Sequence, residues 1–501
     1  MTSLAGPGTG VAQDPVPGPR PSVPRSQAYL LLSQVARVVL FLLITRQLGR
    51  DMDPADFGFF ALVSTLFALA LQVMDMGSTA VATRQIGQQP GMERELLDAL
   101  LGWRLLLGAV MAVGCLLLAL VGPAQSPYER AVLAAAGVGV LLLHQSAYYV
   151  VFQLRQEFGK PLLLGLGSQV AFLLACLLLL RMNVGGIVVA LLVVVREVVQ
   201  VMGSRLIAIR ALGFELRPRL RSPALRALLL TAWPFGVCAV IYKLAFHGGT
   251  FFVWMLEPPD ALGTLSATLR LFSPVIDAAW LFVTPLIVGM SIAARSDTAA
   301  FRDQLGAQVC MLLGVAALLA VCGYLLAPTV LRLLYGDRYV LGELSSVLTF
   351  QWFGAATALS LITPVPVIAM LAQHRERELL WVSAFGLALN VLVCAWAIPR
   401  HGAAGAAMAT FATEAAVLTG LLARLHSSGD WRPSLLLAAH VLPAGVLALV
   451  LSALGPHPHW RLPIAGLFGL AAVIAMWQMP SQKKRRLGVT PSAIDLAKDP
   501  P

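Results

Sequence analysis

Arg37, Arg196, Glu197, Lys243, Arg270, Asp277 and Glu414 all lie inside long apolar stretches of the chain. A charge at the middle of a membrane-spanning helix costs roughly 2.5–3.5 kcal/mol on insertion scales, so such residues face a partner or a wet cavity. Three of them form a cationic set. Arg37 and Lys243 stand 206 residues apart (37 to 243), each near the middle of its stretch, and Arg270 follows Gly263 by seven residues. Seven helical residues carry Arg270 about 10 Å into its stretch. Arginine offers a planar fork of donors and lysine a point charge, the combination that holds a phosphate or diphosphate. Arg37, Lys243 and Arg270 are therefore the candidate substrate-binding residues. The competing arrangement is a set of plain ion pairs with Asp277 and Glu414.

The other charges read differently. Asp75 and Arg104 lie near the ends of their stretches, where a long side chain can snorkel to the interface, and have a structural reading. Adjacent Arg196 and Glu197 point about 100° apart on a helix and are expected to bond different neighbours. Asp75, Glu197, Asp277 and Glu414 are the carboxylates available as charge partners or ion-coupling groups. His144 reads as a hydrogen-bonded core histidine. Six cysteines, all in apolar stretches and without metal-ligand spacing, read as small buried residues, so no metal or cofactor is expected.

The elements that carry these residues follow from composition. Of 501 residues 58% are hydrophobic and 12% charged, and the mean hydropathy is +0.79. A soluble chain has about a quarter charged residues, and apolar runs long enough to cross roughly 30 Å of hydrocarbon recur here from residue 26 to residue 479. The reading is an all-α polytopic membrane protein with about fourteen spans. They include spans at 26–46, 57–77, 131–153, 185–203, 229–256, 261–291, 346–372, 404–424, 435–454 and 462–479. Only the loops near 78–98, 204–228 and 327–345 exceed about a dozen residues. Most arginine and lysine falls on the side that holds both tails and the loop with Arg205, Arg210, Arg217, Arg219, Arg221 and Arg226. By the positive-inside rule both termini are cytoplasmic. The net charge of +11 thus sets topology, and nucleic acid is not an expected partner.

A turn repeats. Pro54-Ala55-Asp56-Phe57-Gly58 has a counterpart 205 residues later (54 to 259), Pro259-Asp260-Ala261-Leu262-Gly263. Proline suits a first helical position, and glycine permits close packing. Six spans separate the copies, so both have the same orientation. That describes two six-helix bundles related by a pseudo-twofold axis along the membrane normal, around a central cleft. The expected organisation is a disordered cytoplasmic tail at 1–25, an N-terminal bundle at 26–203 and a basic cytoplasmic linker at 204–228. A C-terminal bundle at 229–424, two additional spans within 425–479 and a basic cytoplasmic tail at 480–501 complete it. Pro234, Pro274, Pro285, Pro364 and Pro366 are candidate kinks.

Three segments carry a family resemblance: LGRDMDPADFGFFALVSTL after the first span, MLEPPDALGTLSATLRLF after the seventh, and PTVLRLLYGDRYVLGELSSVLTFQWFGAATALSLI around the ninth and tenth. The chain resembles the polysaccharide-transporter branch (Wzx-like lipid-linked oligosaccharide flippases) of the multidrug/oligosaccharidyl-lipid/polysaccharide exporter superfamily. The resemblance covers the first twelve spans. It implies a flippase that carries a polyprenyl-diphosphate-linked oligosaccharide between leaflets of the bacterial inner membrane, for export of exopolysaccharide, capsule or O-antigen. The implied partners are that glycan lipid, the surrounding membrane lipids, and polysaccharide polymerase and export machinery.

Other functions stay open on the residues alone. A peptidoglycan-precursor lipid flippase of the same superfamily would also use intramembrane arginines. A multidrug/cation antiporter would prefer an acidic cavity, against Arg37, Lys243 and Arg270. A membrane glycan polymerase needs charged residues on a sizeable external loop, and 327–345 offers only Arg332, Asp337, Arg338 and Glu343. No Gly-x-x-x-x-Gly-Lys-Ser/Thr phosphate loop is present, so this chain does not hydrolyse ATP and a transporter is expected rather than an enzyme.

Overall fold

The computed structural model describes residues 23–427, apart from Gln125, Gln156, Phe158, Asn183, Glu343, 284–289, 291–293 and 295–297. Residues 1–22 of the expected N-terminal tail, everything after Ser427 (which holds the two expected additional spans and the C-terminal tail) and Pro285 lie outside the described residues, whereas Val23–Arg25 already belong to the first helix. Fifteen α-helices are described. In the N-terminal half they are α1 (Val23–Asp51), α2 (Pro54–Asp75), α3 (Ser78–Gln88), α4 (Glu93–Val121), α5 (Pro127–Leu142), α6 (Tyr149–Arg155), α7 (Gly159–Arg181) and α8 (Gly186–Leu212). The C-terminal half holds α9 (Pro223–Leu256), α10 (Pro259–Val283), α11 (Thr298–Tyr335), α12 (Val347–Ile362), α13 (Pro364–Ala372), α14 (Glu376–His401) and α15 (Ala403–Ser427).

Local chemistry sets the boundaries. Pro54, Pro127 and Pro223 start α2, α5 and α9, where a missing N–H costs nothing. Ser126 and Ser222 accept from Glu129 N and Ala224 N, each at 3.1 Å, satisfying donors that helix starts leave open. Met76 (φ 37) and Gly77 (φ 72) are both left-handed and separate α2 from α3. A 3₁₀ segment, Leu143–Tyr148, interrupts the expected span at 131–153. The span at 346–372 breaks before Pro364 into α12 and α13, whereas Pro234 and Pro274 lie inside continuous helices.

The long loops shorten. Residues 78–88 form α3, α8 runs on to Leu212, and α11 continues to Tyr335. Hydropathy marks where hydrocarbon ends, and backbone hydrogen bonding carries a helix beyond it. Ten described segments are long and apolar enough to cross a membrane. Neither α1 nor α10 is among them, and these two carry Arg37 and Arg270. Exposed side chains on the outside of the bundle include Leu120, Val121, Leu163, Leu174 and Leu392, the inverse of a water-facing surface.

α2 is the structural centre. It buries Phe57, Phe60, Leu62, Phe67 and Met74 and packs on α4, α5 and α8 of its own half and on α9 and α10 of the other. α10 correspondingly packs on α12, α13 and α15. The two repeated turns meet where α2 crosses α10. A Cβ on Gly58 would lie 2.7 Å from Gly263 N, and one on Gly263 would collide with the Pro54 backbone, so only glycine permits this approach. Around this turn end the halves are tied by Arg338, which reaches Asp53 at 3.1 Å and Met52 O at 3.2 Å. Arg50 donates to Leu334 O at 2.9 Å and Leu333 O at 2.7 Å. At the opposite, linker end, a Cβ on Gly236 of α9 would collide with the Met76 carbonyl. The linker itself is docked: Arg217 N and Arg219 N donate to Asp98 Oδ1 and Asp98 O at 2.8 and 3.1 Å.

Candidate functional site

Two adjoining cavities lie between these contacts. The smaller, of about 160 Å³, is lined by Phe41 of α1, Ser64 and Thr65 of α2, Lys243, His247 and Thr250 of α9, and Ser266, Arg270, Ser273 and Asp277 of α10. The larger, of about 310 Å³, lies toward the linker end. Gln72, Asp75 and Gly77 line it from the N-terminal half, with Tyr242, Lys243, His247, Ser273, Asp277, Trp280 and Thr363 from the C-terminal half. Lys243, His247, Ser273 and Asp277 line both.

Helical spacing builds the shared wall. Lys243, His247 and Thr250 recur at i, i+4 and i+7 along α9, and Arg270, Ser273 and Asp277 at i, i+3 and i+7 along α10, so each trio shares a face. The two helices run antiparallel through the short turn at 257–258, which sets Asp277 opposite Lys243 and Arg270 farther toward the turn end. Lys243 Nζ lies 3.5 Å from Asp277 Oδ1, with side-chain exposures of 24% and 55%.

Arg270 is buried and has no carboxylate partner among the described residues. Its guanidinium lies over Phe60, 4.3 Å from the ring centroid, with Phe41 at 5.8 Å and Phe57 at 6.0 Å. Such ring faces stabilise a cation by about 2 kcal/mol when water is excluded and leave its N–H groups available. Arg270 Nε, His247 Nδ1 and Thr250 Oγ1 are buried without a hydrogen-bond partner in the described structure. Leaving such a group unmade costs about 1–3 kcal/mol each. These three atoms, an arginine N–H, an imidazole nitrogen and a hydroxyl, belong to residues on one cavity wall.

The remaining charges sort as follows. Arg37 lies on α1, is exposed and lines neither cavity. Glu414 is buried on α15, accepts a hydrogen bond from Thr363 Oγ1 at 3.3 Å and has no cation within ion-pair distance among the described residues. The ion-pair alternative thus holds for Lys243 with Asp277, and Arg270 and Glu414 are not joined to it.

Arg104 and Asp75 do not snorkel. Arg104 is 3% exposed and bonds Asp75 at 2.7 Å, with Thr79 Oγ1 and Ser146 Oγ at 2.6 and 2.8 Å. α3 folds back as a helix and brings Thr79 over the pair, so the arginine finds its partners inside the bundle. Arg196 and Glu197 bond each other, against expectation. Long side chains on a half-buried face can converge although their Cβ atoms diverge, and Arg196 also lies 5.1 Å from the Phe172 ring centroid. His144 is half-buried, with Nδ1 2.7 Å from Leu141 O, as expected of a core histidine. The sequence reading missed His247, Thr250 and the phenylalanine cage. The i+4 and i+7 spacing from Lys243 was the signal for the first two; the cage had none, because Phe41, Phe57 and Phe60 come from the other half.

Of the charged residues in the loop at 327–345, Glu343 lies outside the described residues and the other three form ion pairs. Arg332 pairs with Asp337 at 2.5 Å, and Arg338 with Asp53.

No curated protein matches the chain. Among solved structures, the lipid II flippase MurJ in an inward closed conformation superposes with a TM-score of 0.69 at 12% identity, covering 92% of this chain and 100% of that one. A mutant of the Vibrio cholerae MATE transporter VcmN superposes at 0.51 with 17% identity, covering 80% and 96%. A MATE transporter in complex with MaD3S gives 0.51 at 14% identity, covering 81% and 96%. At these identities the likeness is one of fold, an all-α polytopic transporter fold with two helical bundles about a central cleft. Residues 23–288 match the family described as polysaccharide biosynthesis proteins. That is more than half of the chain, which therefore belongs to this family.

Proposed function

We propose that the protein is a flippase for a polyprenyl-diphosphate-linked oligosaccharide, moving it from the inner to the outer leaflet of the bacterial cytoplasmic membrane by alternating access. The observation that carries this reading is Arg270, buried between the halves with an unpartnered Nε beside Lys243, His247 and Thr250. A diphosphate carried through a low-dielectric interior needs such compensation. The ring faces of Phe41, Phe57 and Phe60 hold the guanidinium without consuming its donors. The lipid tail stays outside, against the apolar bundle surface. In this reading both termini and the linker end are cytoplasmic and the turn end is external. Residues 26–203 and 229–424 act as the two rocking bodies, and the headgroup is handed on to polymerase and export machinery. Arg37 would approach the substrate from α1 in a more open state, and Glu414, a buried carboxylate with no cation beside it among the described residues, is the proposed ion-coupling group.

The test is complementation of a deletion strain. Arg270→Ala should abolish surface glycan while the protein accumulates normally in the membrane. Arg270→Lys should restore export only in part, since it keeps charge and loses the fork. Full export by Arg270→Ala would refute the assignment. The lipid II named for the MurJ structure carries the same diphosphate and would engage the same cations. The family match to polysaccharide biosynthesis favours an oligosaccharide. Cationic drugs would be repelled by Arg270 and Lys243.

A further inference from the structure

Lys243 is already occupied. Its partner Asp277 lines both cavities and is more than half exposed to them, and the 3.5 Å separation is looser than the 2.7–2.9 Å of a tight charge-assisted bond. Arg270, two turns from Asp277 on the same helix, has no carboxylate beside it among the described residues, and its Nε is without a hydrogen-bond partner. The two cations therefore differ in kind: one is masked, the other is caged and unmasked. They are also ordered in space. Along α9, Thr250 lies about 10 Å beyond Lys243 toward the turn end at 1.5 Å per residue. An anion entering the larger cavity from the linker end meets the Lys243–Asp277 pair before it reaches Arg270, His247 and Thr250.

We propose that Asp277 is an intramolecular competitor for the anionic headgroup: it holds Lys243 while the cleft is empty and is displaced when a diphosphate arrives. This rests on the reading of the cleft as an anion site. The physical consequence is twofold. An empty cleft carries less uncompensated charge, which favours closure around it. Once the anion advances to Arg270, Asp277 reclaims Lys243, so the first station does not retain the substrate. Exposure makes the exchange feasible, because a half-exposed carboxylate regains water when it leaves its partner, whereas a buried one such as Glu414 would not. Asp277 is thus a positioning residue that acts through Lys243.

The experiment is a binding cycle on the purified full-length protein in detergent, using farnesyl diphosphate as a water-soluble polyprenyl diphosphate and titration calorimetry as readout. Asp277→Asn should bind about fivefold tighter, the scale of one partly exposed ion pair removed from competition. Lys243→Gln should bind more weakly. In the Lys243→Gln background, Asp277→Asn should give no further tightening, because no masked cation remains. Equal tightening in both backgrounds would overturn the proposal and reduce Asp277 to a diffuse field effect. Unchanged or weaker binding by Asp277→Asn, with Arg270→Ala still impaired, would overturn it while leaving the anion site intact. Unchanged binding by Arg270→Ala would instead sink the anion reading itself, and this inference with it. Asp277→Ser repeats the cycle should Asp277→Asn not purify as a monodisperse protein.

Discussion

A single methyl group at the crossing of the repeated turns should open the cleft at its turn end. In Gly263→Ala the new Cβ meets Pro54 O, C and Cα, all backbone atoms of a helix start. None of them can rotate away as a side chain could. Overpacking of this kind costs about 1–3 kcal/mol. If about 2 kcal/mol of that is borne only by the closed arrangement, the open-to-closed ratio rises about thirty-fold. Ser64, which lines the smaller cavity from α2, supplies the reporter. A Ser64→Cys variant in a background with the native cysteines replaced should react slowly with an impermeant maleimide added outside intact cells. Adding Gly263→Ala should raise that rate by up to about thirty-fold. Arg338→Gln should act in the same direction but weakly, since its pair with Asp53 is 42% and 80% exposed and contributes about 0–1 kcal/mol. An unchanged labelling rate in a well-folded Gly263→Ala protein would refute the idea that this crossing is a closed gate.

Arg104→Met should lower thermal stability in detergent by about 3 kcal/mol, because it strands Asp75 and the hydroxyls of Thr79 and Ser146. Asp75→Asn should cost less, as Asp75 is 35% exposed; equal losses would mean the network is not organised by the arginine. Glu414→Gln should fold like the wild type, since an amide oxygen still accepts from Thr363, whereas Glu414→Leu should reduce abundance; equal abundance of the two variants would show that the Thr363 bond is dispensable. A cysteine at Asp260 should be labelled from outside intact cells and one at Arg217 should not, and the reverse pattern would invert the assigned orientation.

Particular residues show where sequence reading stops. Apolar length marked ten spans among the described residues because a membrane demands it, whatever the packing. The repeated proline and glycine turns announced two like-oriented halves, because proline at a helix start and glycine at a close approach are local requirements. The intramembrane charges Lys243, Arg270, Asp277 and Glu414 were visible as anomalies in apolar stretches, since burying a charge is costly in any fold. Their partners were not visible. Whether Lys243 meets Asp277 depends on how α9 and α10 turn about their axes. Whether Arg270 meets a carboxylate or three phenylalanines depends on α1 and α2 arriving from the other half. Arg104 illustrates the same limit: the short helix α3, read as loop, supplies the hydroxyl that completes its burial. Charge and length are properties of one segment and are written in it. Pairing, burial and the cavity between the halves depend on distances between segments remote in the chain, and these exist only once the helices pack.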